Sequence, residues 1–123
     1  MANDFKRYTK TSCTTSTGAS ADAVYTVPST SGTGAMETVV IGIYLTNKTA
    51  NGVTASVFLD THAGTSTDVY LLKDATIPAG AALEVVSGGK VVLQGTGSAN
   101  DAIRVSCGTA TALDAVVSVL EDV

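Results

Sequence analysis

The sequence is poor in charged residues and in the residue types that carry chemistry. Charged residues make up 15% of the chain, and there are no tryptophans, one histidine and two cysteines. Soluble domains usually contain about 25% charged residues. Thr, Ser, Gly and Ala take their place and give a neutral, polar surface. Such a surface is compatible with a plain soluble domain, and it is also typical of a protein that packs against copies of itself or against a partner.

The single histidine, His62, follows Asp60 by two residues. A nucleophilic triad needs a base that is oriented by a carboxylate and lies within hydrogen-bond reach of a serine or cysteine. No serine stands in a G-x-S-x-G setting, so we interpret His62 as a surface-loop residue. One histidine and two isolated cysteines are also too few ligands for a zinc site.

The carboxylates do not form a pattern that indicates catalysis. A glycosidase needs two of them on either side of the substrate. Those of the central and late chain fall at outward strand positions or in turns, where we expect them to be solvated: Asp60, Asp68, Asp74, Glu84, Asp101 and Asp114. The segment Gly88-Gly89-Lys90 is a partial match to a phosphate loop, but Val91 follows the lysine and the first glycine of the motif is missing. We predict that the protein is not an enzyme and has no cofactor or metal.

Three further absences concern partners and location. No apolar run approaches the roughly 18 residues of a membrane span. The net charge of −4 argues against binding to nucleic acid, which requires Lys and Arg to neutralise phosphates. The first ten residues, MANDFKRYTK, contain no apolar segment of a signal peptide, so we expect synthesis and assembly in the cytoplasm, or release by another route such as lysis.

The two cysteines, Cys13 and Cys107, lie far apart, and both fall in predicted strands. We predict buried free thiols, which are the usual state in a cytoplasmic chain. A disulfide that joins the first strand to a late strand is the alternative.

What the chain does contain is a succession of short β-type segments. The 123 residues fit one domain, 1–123, and are 45% hydrophobic. Runs rich in Val, Ile, Leu and Tyr alternate with breaks of Gly, Pro, Asn and Ser. They predict strands over 5–13, 23–27, 37–47, 53–60, 69–72, 83–86, 91–93, 103–105 and 113–120. We therefore expect an all-β antiparallel sandwich of about eight or nine strands, jelly-roll or Ig-like, or a small barrel. A helix over 113–120 is the local alternative.

Turn signals also predict which strands pair. The stretch 68–107 contains four strands separated by three close turns, which indicates a meander. Asn51-Gly52 favours a tight turn, so 37–47 and 53–60 are expected to form a hairpin.

Alternation predicts the faces of the two strands in this pair. In the first, one face carries Val39, Ile41, Ile43 and Leu45, and the other carries Val40, Gly42, Tyr44 and Thr46. In the second, Val53, Ala55, Val57 and Leu59 are expected to point inward, and Thr54, Ser56 and Asp60 outward.

The N-terminal segment 1–13 has only a weak period, which is typical of an arm or an edge strand that reaches a neighbour. Its aromatic and basic residues are the candidate partner contacts, and they are Phe5, Lys6, Arg7, Tyr8 and Lys10. Alternation places Phe5, Arg7 and Thr9 on one face, and Lys6, Tyr8 and Lys10 on the other. A solvated basic end is the alternative interpretation.

The order of these segments resembles small virion structural proteins of tailed bacteriophages, notably marine and cyanophage types. The similarity lies in Phe5-Lys6-Arg7-Tyr8, Val24-Tyr25-Thr26-Val27-Pro28, the run Val39 to Asn47, Ile77-Pro78-Ala79-Gly80, Leu83, Gly89-Lys90-Val91-Val92-Leu93, Asp101 to Val105 and Val117 to Glu121. It covers nearly the whole chain but contains no catalytic signature.

The resemblance implies a β-sandwich that decorates or completes the particle. We therefore expect a virion protein, in the first place a capsid decoration or cement protein that stabilises the particle surface. It would contact other copies of itself, with a trimer as one arrangement, and the major capsid protein or other virion proteins. A neck or tail-associated protein is an alternative.

A module that attaches to a host glycan is the alternative from a different class. Sugar-binding surfaces usually expose aromatic platforms, and Tyr8, Tyr44 and Tyr70 are the candidates. We expect Tyr44 and Tyr70 to be packed, which disfavours this alternative; an exposed aromatic groove near any of the three tyrosines would favour it.

Overall fold

The protein is all-β. A computed structural model describes residues 3–16, 21–28, 36–61, 67–86, 90–95 and 100–122. In those ranges there are nine strands and no helix. They are β1 (Asn3–Lys10), β2 (Asp22–Thr26), β3 (Met36–Asn47), β4 (Val53–Thr61), β5 (Thr67–Ile77), β6 (Ala82–Glu84), β7 (Val91–Gly95), β8 (Ala102–Cys107) and β9 (Leu113–Asp122). All nine predicted strands are present, although the first and the sixth end earlier than predicted and the fifth is longer; the helical alternative for 113–120 is wrong.

The strands form two antiparallel sheets that pack face to face as a sandwich. Sheet A has the order β1-β9-β3, and both β6 and β7 pair with the far side of β3. Sheet B has the order β2-β8-β4-β5. The pairing is nested: β1 pairs with β9, β2 with β8, β3 with β6 and β7, and β4 with β5. Such pairing of first with last strands, folded into two sheets, is the arrangement of a jelly roll.

The predicted meander and hairpin are both wrong. The four strands of the stretch 68–107 are divided between the sheets, with β5 and β8 in sheet B and β6 and β7 in sheet A. Strands β3 and β4 also lie in different sheets. A turn signal shows where the chain reverses, but it does not show whether the next strand pairs alongside or crosses to the other sheet, about 10 Å away.

Asn47 directs the crossing from β3 to β4. Its side chain is fully buried, and its amide nitrogen donates hydrogen bonds to the carbonyls of Asn51 at 2.7 Å and Ile77 at 2.9 Å. Its amide oxygen accepts from the backbone nitrogen and the hydroxyl of Thr49. One side chain therefore holds both the loop and the end of β5, and it turns the loop into a corner of the sandwich rather than a hairpin.

A β-bulge corrects the predicted faces of β3. Val40 pairs with Val119 and Gly42 pairs with Ser118, so Ile41 is an extra residue. The alternation changes phase at this point. Val40, Ile43 and Leu45 are buried between the sheets, while Ile41 is exposed.

The core lies between the two sheets and is almost entirely aliphatic. Its fully buried members include Val40, Ile43, Leu45, Val57, Leu93, Ile103, Val105, Leu113, Val117 and Val119. Burial of each such side chain stabilises the fold by roughly 1.5–3 kcal/mol. The predicted inward residues of β4 pack in or against this core.

The two cysteines are buried and free, as predicted. Cys107 lies in β8, but Cys13 lies after the end of β1 rather than within a strand. The Cys107 thiol is placed against the carbonyl oxygen of Cys13, with 3.3 Å between Sγ and O. Burial raises the pKa of the Cys13 thiol, and contact with Cys107 adds to that effect. The contact between the Cys107 thiol and the Cys13 carbonyl therefore links the segment after β1 to β8 without a covalent bond.

Candidate functional site

An apolar row crosses the outer face of sheet A. The register places Phe5 of β1 opposite Leu120 of β9, Leu120 opposite Val39 of β3, and Val39 opposite Val92 of β7. Ile41, the extra residue of the β3 bulge, adds to it. We call these five residues the apolar row. Because neighbouring strands lie about 4.8 Å apart, four strands give the row a length of about 14 Å.

The apolar row is open to solvent at both of its ends. Phe5 is 77% exposed and Val92 is 52% exposed, whereas Val39 and Leu120 at the centre are half-buried. Single exposed apolar side chains are common in soluble proteins, whereas a continuous row across adjacent strands is a candidate contact surface.

The five predicted contact residues of the N-terminal segment do not share one environment. Phe5 and Arg7 point away from the sandwich, as the predicted alternation requires. The other three turn toward the protein itself: Lys6 Nζ lies 3.2 Å from Glu121, and Lys10 Nζ lies 3.7 Å from Asp22.

Tyr8 packs inward as well. Its ring lies against that of Tyr25, with 4.8 Å between the centroids. The structure thus leaves Phe5 and Arg7 as the outward-facing members of the predicted contact set, and it places β1 at the edge of sheet A.

A buried carboxylate, Glu121, ties β1 to both sheets. It is 1% exposed and accepts hydrogen bonds from the hydroxyls of Tyr25 at 2.7 Å and Tyr8 at 3.2 Å, in addition to its ion pair with Lys6. The Tyr25 hydroxyl also contacts that of Thr38, at 2.9 Å. Burial raises the pKa of Glu121, but its bonds to Tyr25, Lys6 and Tyr8 outweigh burial, so the pKa is lowered overall.

The outer face of sheet B is lined by polar pairs instead. Asp60 of β4 and Arg104 of β8 are diagonal neighbours, with 2.8 Å between Arg104 Nε and a carboxylate oxygen. Arg104 also donates to the carbonyl of Ala21 at 2.7 Å. Asp60 is buried, so its predicted solvated position is wrong: on this face neighbouring side chains cover the pair. Asp101 is buried too, and its carboxylate accepts from the backbone nitrogen of Gln94.

The pairing of β5 with β4 has two register shifts, one on each side of Val57, and the first of them forms the bulge described here. Val57 of β4 pairs with Leu72 and Ala55 pairs with Ala75, so Lys73 and Asp74 together stand opposite Ser56. Asp74 has a positive φ of 49°, which Asp tolerates better than most residues. Its backbone nitrogen donates to the Ser56 hydroxyl at 3.0 Å, and that hydroxyl donates to its carboxylate at 3.3 Å.

The bulge forms one wall of a small polar pocket, which we call the bulge pocket. Its volume is about 180 Å³. The side chains that matter for recognition are Thr54, Ser56, Tyr70, Lys73, Asp74 and Ser106. These six side chains offer three aliphatic hydroxyls, a carboxylate, an ammonium group and the phenol ring of Tyr70, and Thr15 adds a further hydroxyl to the lining. The sequence contained a signal for this site, because Leu71-Leu72-Lys73-Asp74 breaks the two-residue period of a strand.

Two tyrosines that we predicted to be packed are exposed. Tyr44 is 46% exposed and Tyr70 is 42% exposed, so the prediction that both are packed is wrong. Each lies on an outer face, because the core between the sheets is filled by aliphatic residues. Tyr70 rests against Phe58, with 5.3 Å between ring centroids, and Lys73 Nζ lies 4.7 Å from its centroid.

Other sites considered from the sequence receive no support. His62 and Gly88-Gly89 lie outside the described residues. No group of three or more His, Cys, Asp or Glu side chains in the described ranges is arranged to hold a metal ion. In the same part of the chain, no helix has the length and apolar character needed to cross a membrane.

Comparison with known proteins does not identify a family. No protein-family model matches the chain, and no curated protein matches it in sequence.

Proposed function

We propose that the protein is a non-enzymatic structural component of a bacteriophage virion, most simply a capsid decoration protein that stabilises the particle surface. In this role the sandwich is a rigid block that presents its outer faces to neighbours. The neighbours are other copies of the chain, with a trimer as one arrangement, and the major capsid protein. Assembly takes place in the host cytoplasm.

The observation that carries this proposal is the apolar row. Phe5, Ile41 and Val92 remain exposed on the outer face of sheet A. Burial of apolar area against a neighbour contributes roughly 25 cal/mol for each Å² removed from water. A repeated contact on a lattice needs only modest affinity per copy, because many copies act together.

The fold is consistent with this role. Jelly rolls occur in viral capsid proteins and in lectins, and a fold hosts many functions. The resemblance to phage virion proteins, drawn from the order of the segments, favours the first of these two classes. A protein of the neck or tail would use the same surfaces. The location of the protein in the particle distinguishes these two positions from a position on the head.

The experiment compares the wild type with the double variant Phe5→Ser/Val92→Ser. Light scattering of the purified proteins should show association of the wild type and a shift of the double variant toward monomer. The matched control is Val69→Ser, because Val69 is 48% exposed but lies outside the apolar row on β5. Mass spectrometry of purified particles should detect the wild-type protein. A wild type that is monomeric and absent from particles would contradict the proposal.

The second candidate function, attachment to a host glycan, is favoured by one observation. Tyr70 presents its ring beside polar groups on the face opposite the apolar row. Exposed aromatic rings are the platforms on which sugars stack, and this one lies in a pocket.

A further inference from the structure

The bulge pocket lies on sheet B, whereas the apolar row lies on sheet A. The packing role proposed above makes no use of it. The backbone is held in an uncommon conformation there, since Asp74 is in the left-handed region. Bulges and strained residues of this kind occur preferentially next to functional sites, because they redirect side chains that regular pairing would place elsewhere.

The pocket is built before any ligand arrives. The two hydrogen bonds between Ser56 and Asp74 fix the bulge. The ring of Tyr70 is held at its other side by Phe58, which is itself buried. The backbone of the bulge and the ring of Tyr70 are therefore in place before a ligand binds, and Lys73, which lies over the ring, is the side chain that has to move.

The lining defines the chemical class of the ligand. A carboxylate and hydroxyls suit hydrogen bonds to neighbouring hydroxyl groups of a polyol, and an aromatic ring suits its apolar C–H face. The volume of about 180 Å³ is below the usual 300–1,000 Å³ of ligand pockets, which restricts the occupant to one small ring. An anionic phosphate is disfavoured, because Asp74 lines the pocket and the chain has a net charge of −4.

We propose that the bulge pocket binds one neutral pyranose residue, such as a sugar unit of a cell-surface polysaccharide. The C–H face of the sugar lies on the ring of Tyr70, and adjacent hydroxyls donate to the Asp74 carboxylate and bond to Ser106. Lys73 leaves its position over the ring and bonds to a sugar oxygen. Its displacement costs little, because its ion pair with Asp74 spans 3.7 Å and both side chains are largely exposed.

The test is an NMR titration of the full chain with methyl pyranosides of glucose, galactose, mannose and N-acetylglucosamine. We expect at least one of them to bind with a dissociation constant of roughly 1–10 mM, since a single open pocket contacts few atoms. The shifts should be confined to residues around Tyr70, Lys73 and Asp74. Absence of binding by all four sugars, or shifts elsewhere, would overturn the proposal.

Two variants identify the groups that bind, and a third is the control. Tyr70→Leu keeps Phe58 covered but removes the ring, and Asp74→Asn keeps a residue that tolerates positive φ but removes the charge. Each should weaken sugar binding by roughly tenfold or more. The control is Tyr44→Leu, which removes an equally exposed tyrosine from sheet A and should leave binding unchanged.

The two proposals fail independently. Phe5→Ser/Val92→Ser should lose association and keep sugar binding, whereas Tyr70→Leu should lose sugar binding and keep association. A Tyr44→Leu protein that loses the sugar as strongly as Tyr70→Leu would refute the assignment to the bulge pocket.

Discussion

Both sheets of the sandwich contain β-bulges, and the bulges in β3 and β5 have opposite consequences. On sheet A, the bulge in β3 adds Ile41 to an apolar face. On sheet B, the bulge in β5 brings Lys73 and Asp74 together opposite Ser56 and creates a polar pocket. The same backbone device thus extends the apolar row on one side and shapes a small cavity on the other.

The difference shows how each face is stabilised. The outer face of sheet B is held by its own side chains, through Arg104 with Asp60 and through Tyr70 with Phe58. The outer face of sheet A leaves Phe5 and Val92 exposed at the ends of the apolar row. The following changes test this comparison, in order of decreasing effect.

The largest effect is expected for Arg104→Ala on sheet B. The substitution removes the ion pair of Arg104 with the buried carboxylate of Asp60, and it removes the hydrogen bond to the Ala21 carbonyl. Loss of one partner of a buried pair costs about 3–5 kcal/mol of the free energy of unfolding. Urea denaturation would measure it.

The control for this substitution is Lys48→Ala, which breaks the ion pair of Lys48 with Asp114. Both side chains of that pair are about 40% exposed, and we expect a change of roughly 0–1 kcal/mol. Equal losses in Arg104→Ala and Lys48→Ala would show that the pair on sheet B is not buried in solution.

A smaller effect is expected for Glu121→Gln, because the side chain of Glu121 links β1 to both sheets. The amide cannot replace the charge-assisted bonds from Lys6, Tyr8 and Tyr25, and we expect a loss of about 1–3 kcal/mol. Hydrogen exchange should report faster opening of β1, while the bulge pocket on sheet B keeps its protection. Equally fast opening of β5 would mean that the two faces are coupled.

The same residue predicts a pH dependence. The pKa of Glu121 in the folded protein lies below its reference value of 4.5. Its stabilising contribution is therefore complete above about pH 4.5 and is lost as the pH falls through the lower, folded-state pKa. Thermal denaturation between pH 2 and pH 7 should show the difference between wild type and Glu121→Gln shrinking on the acid side. A difference that stays constant over this range would contradict the assignment.

The smallest effect is expected for Gly42→Ala in the β3 bulge. An added Cβ would meet only the Tyr44 ring, at 3.9 Å, so we expect a change within about 0.5 kcal/mol. Gly80→Ala is the contrasting variant, because Gly80 has φ of 67° and an alanine there should cost about 1–2 kcal/mol. A large loss in Gly42→Ala would mean that the bulge requires glycine rather than following from strand register.

Much of the secondary structure could be predicted, and much of the pairing could not. The alternation of Lys6, Tyr8 and Lys10 against Phe5 and Arg7 correctly assigned the faces of β1. By contrast, the predicted faces of β3 are wrong because the alternation changes phase at Ile41, where a bulge shifts it without leaving a clear trace in composition. The exposure of Tyr70 could not be predicted either, since it depends on which residues of β4 and β5 face each other.

The sequence alone determined that the chain is a succession of strands. Steric preferences of β-branched residues, and the breaks made by Gly, Pro and Asn, act within a few positions of each residue. Only the tertiary structure decided the nested pairing, the burial of Glu121 and Asp60, and the meeting of Tyr70 with Asp74 and Ser56. Those features depend on contacts between residues that are distant in the chain, and such contacts form only when two sheets close over a common core.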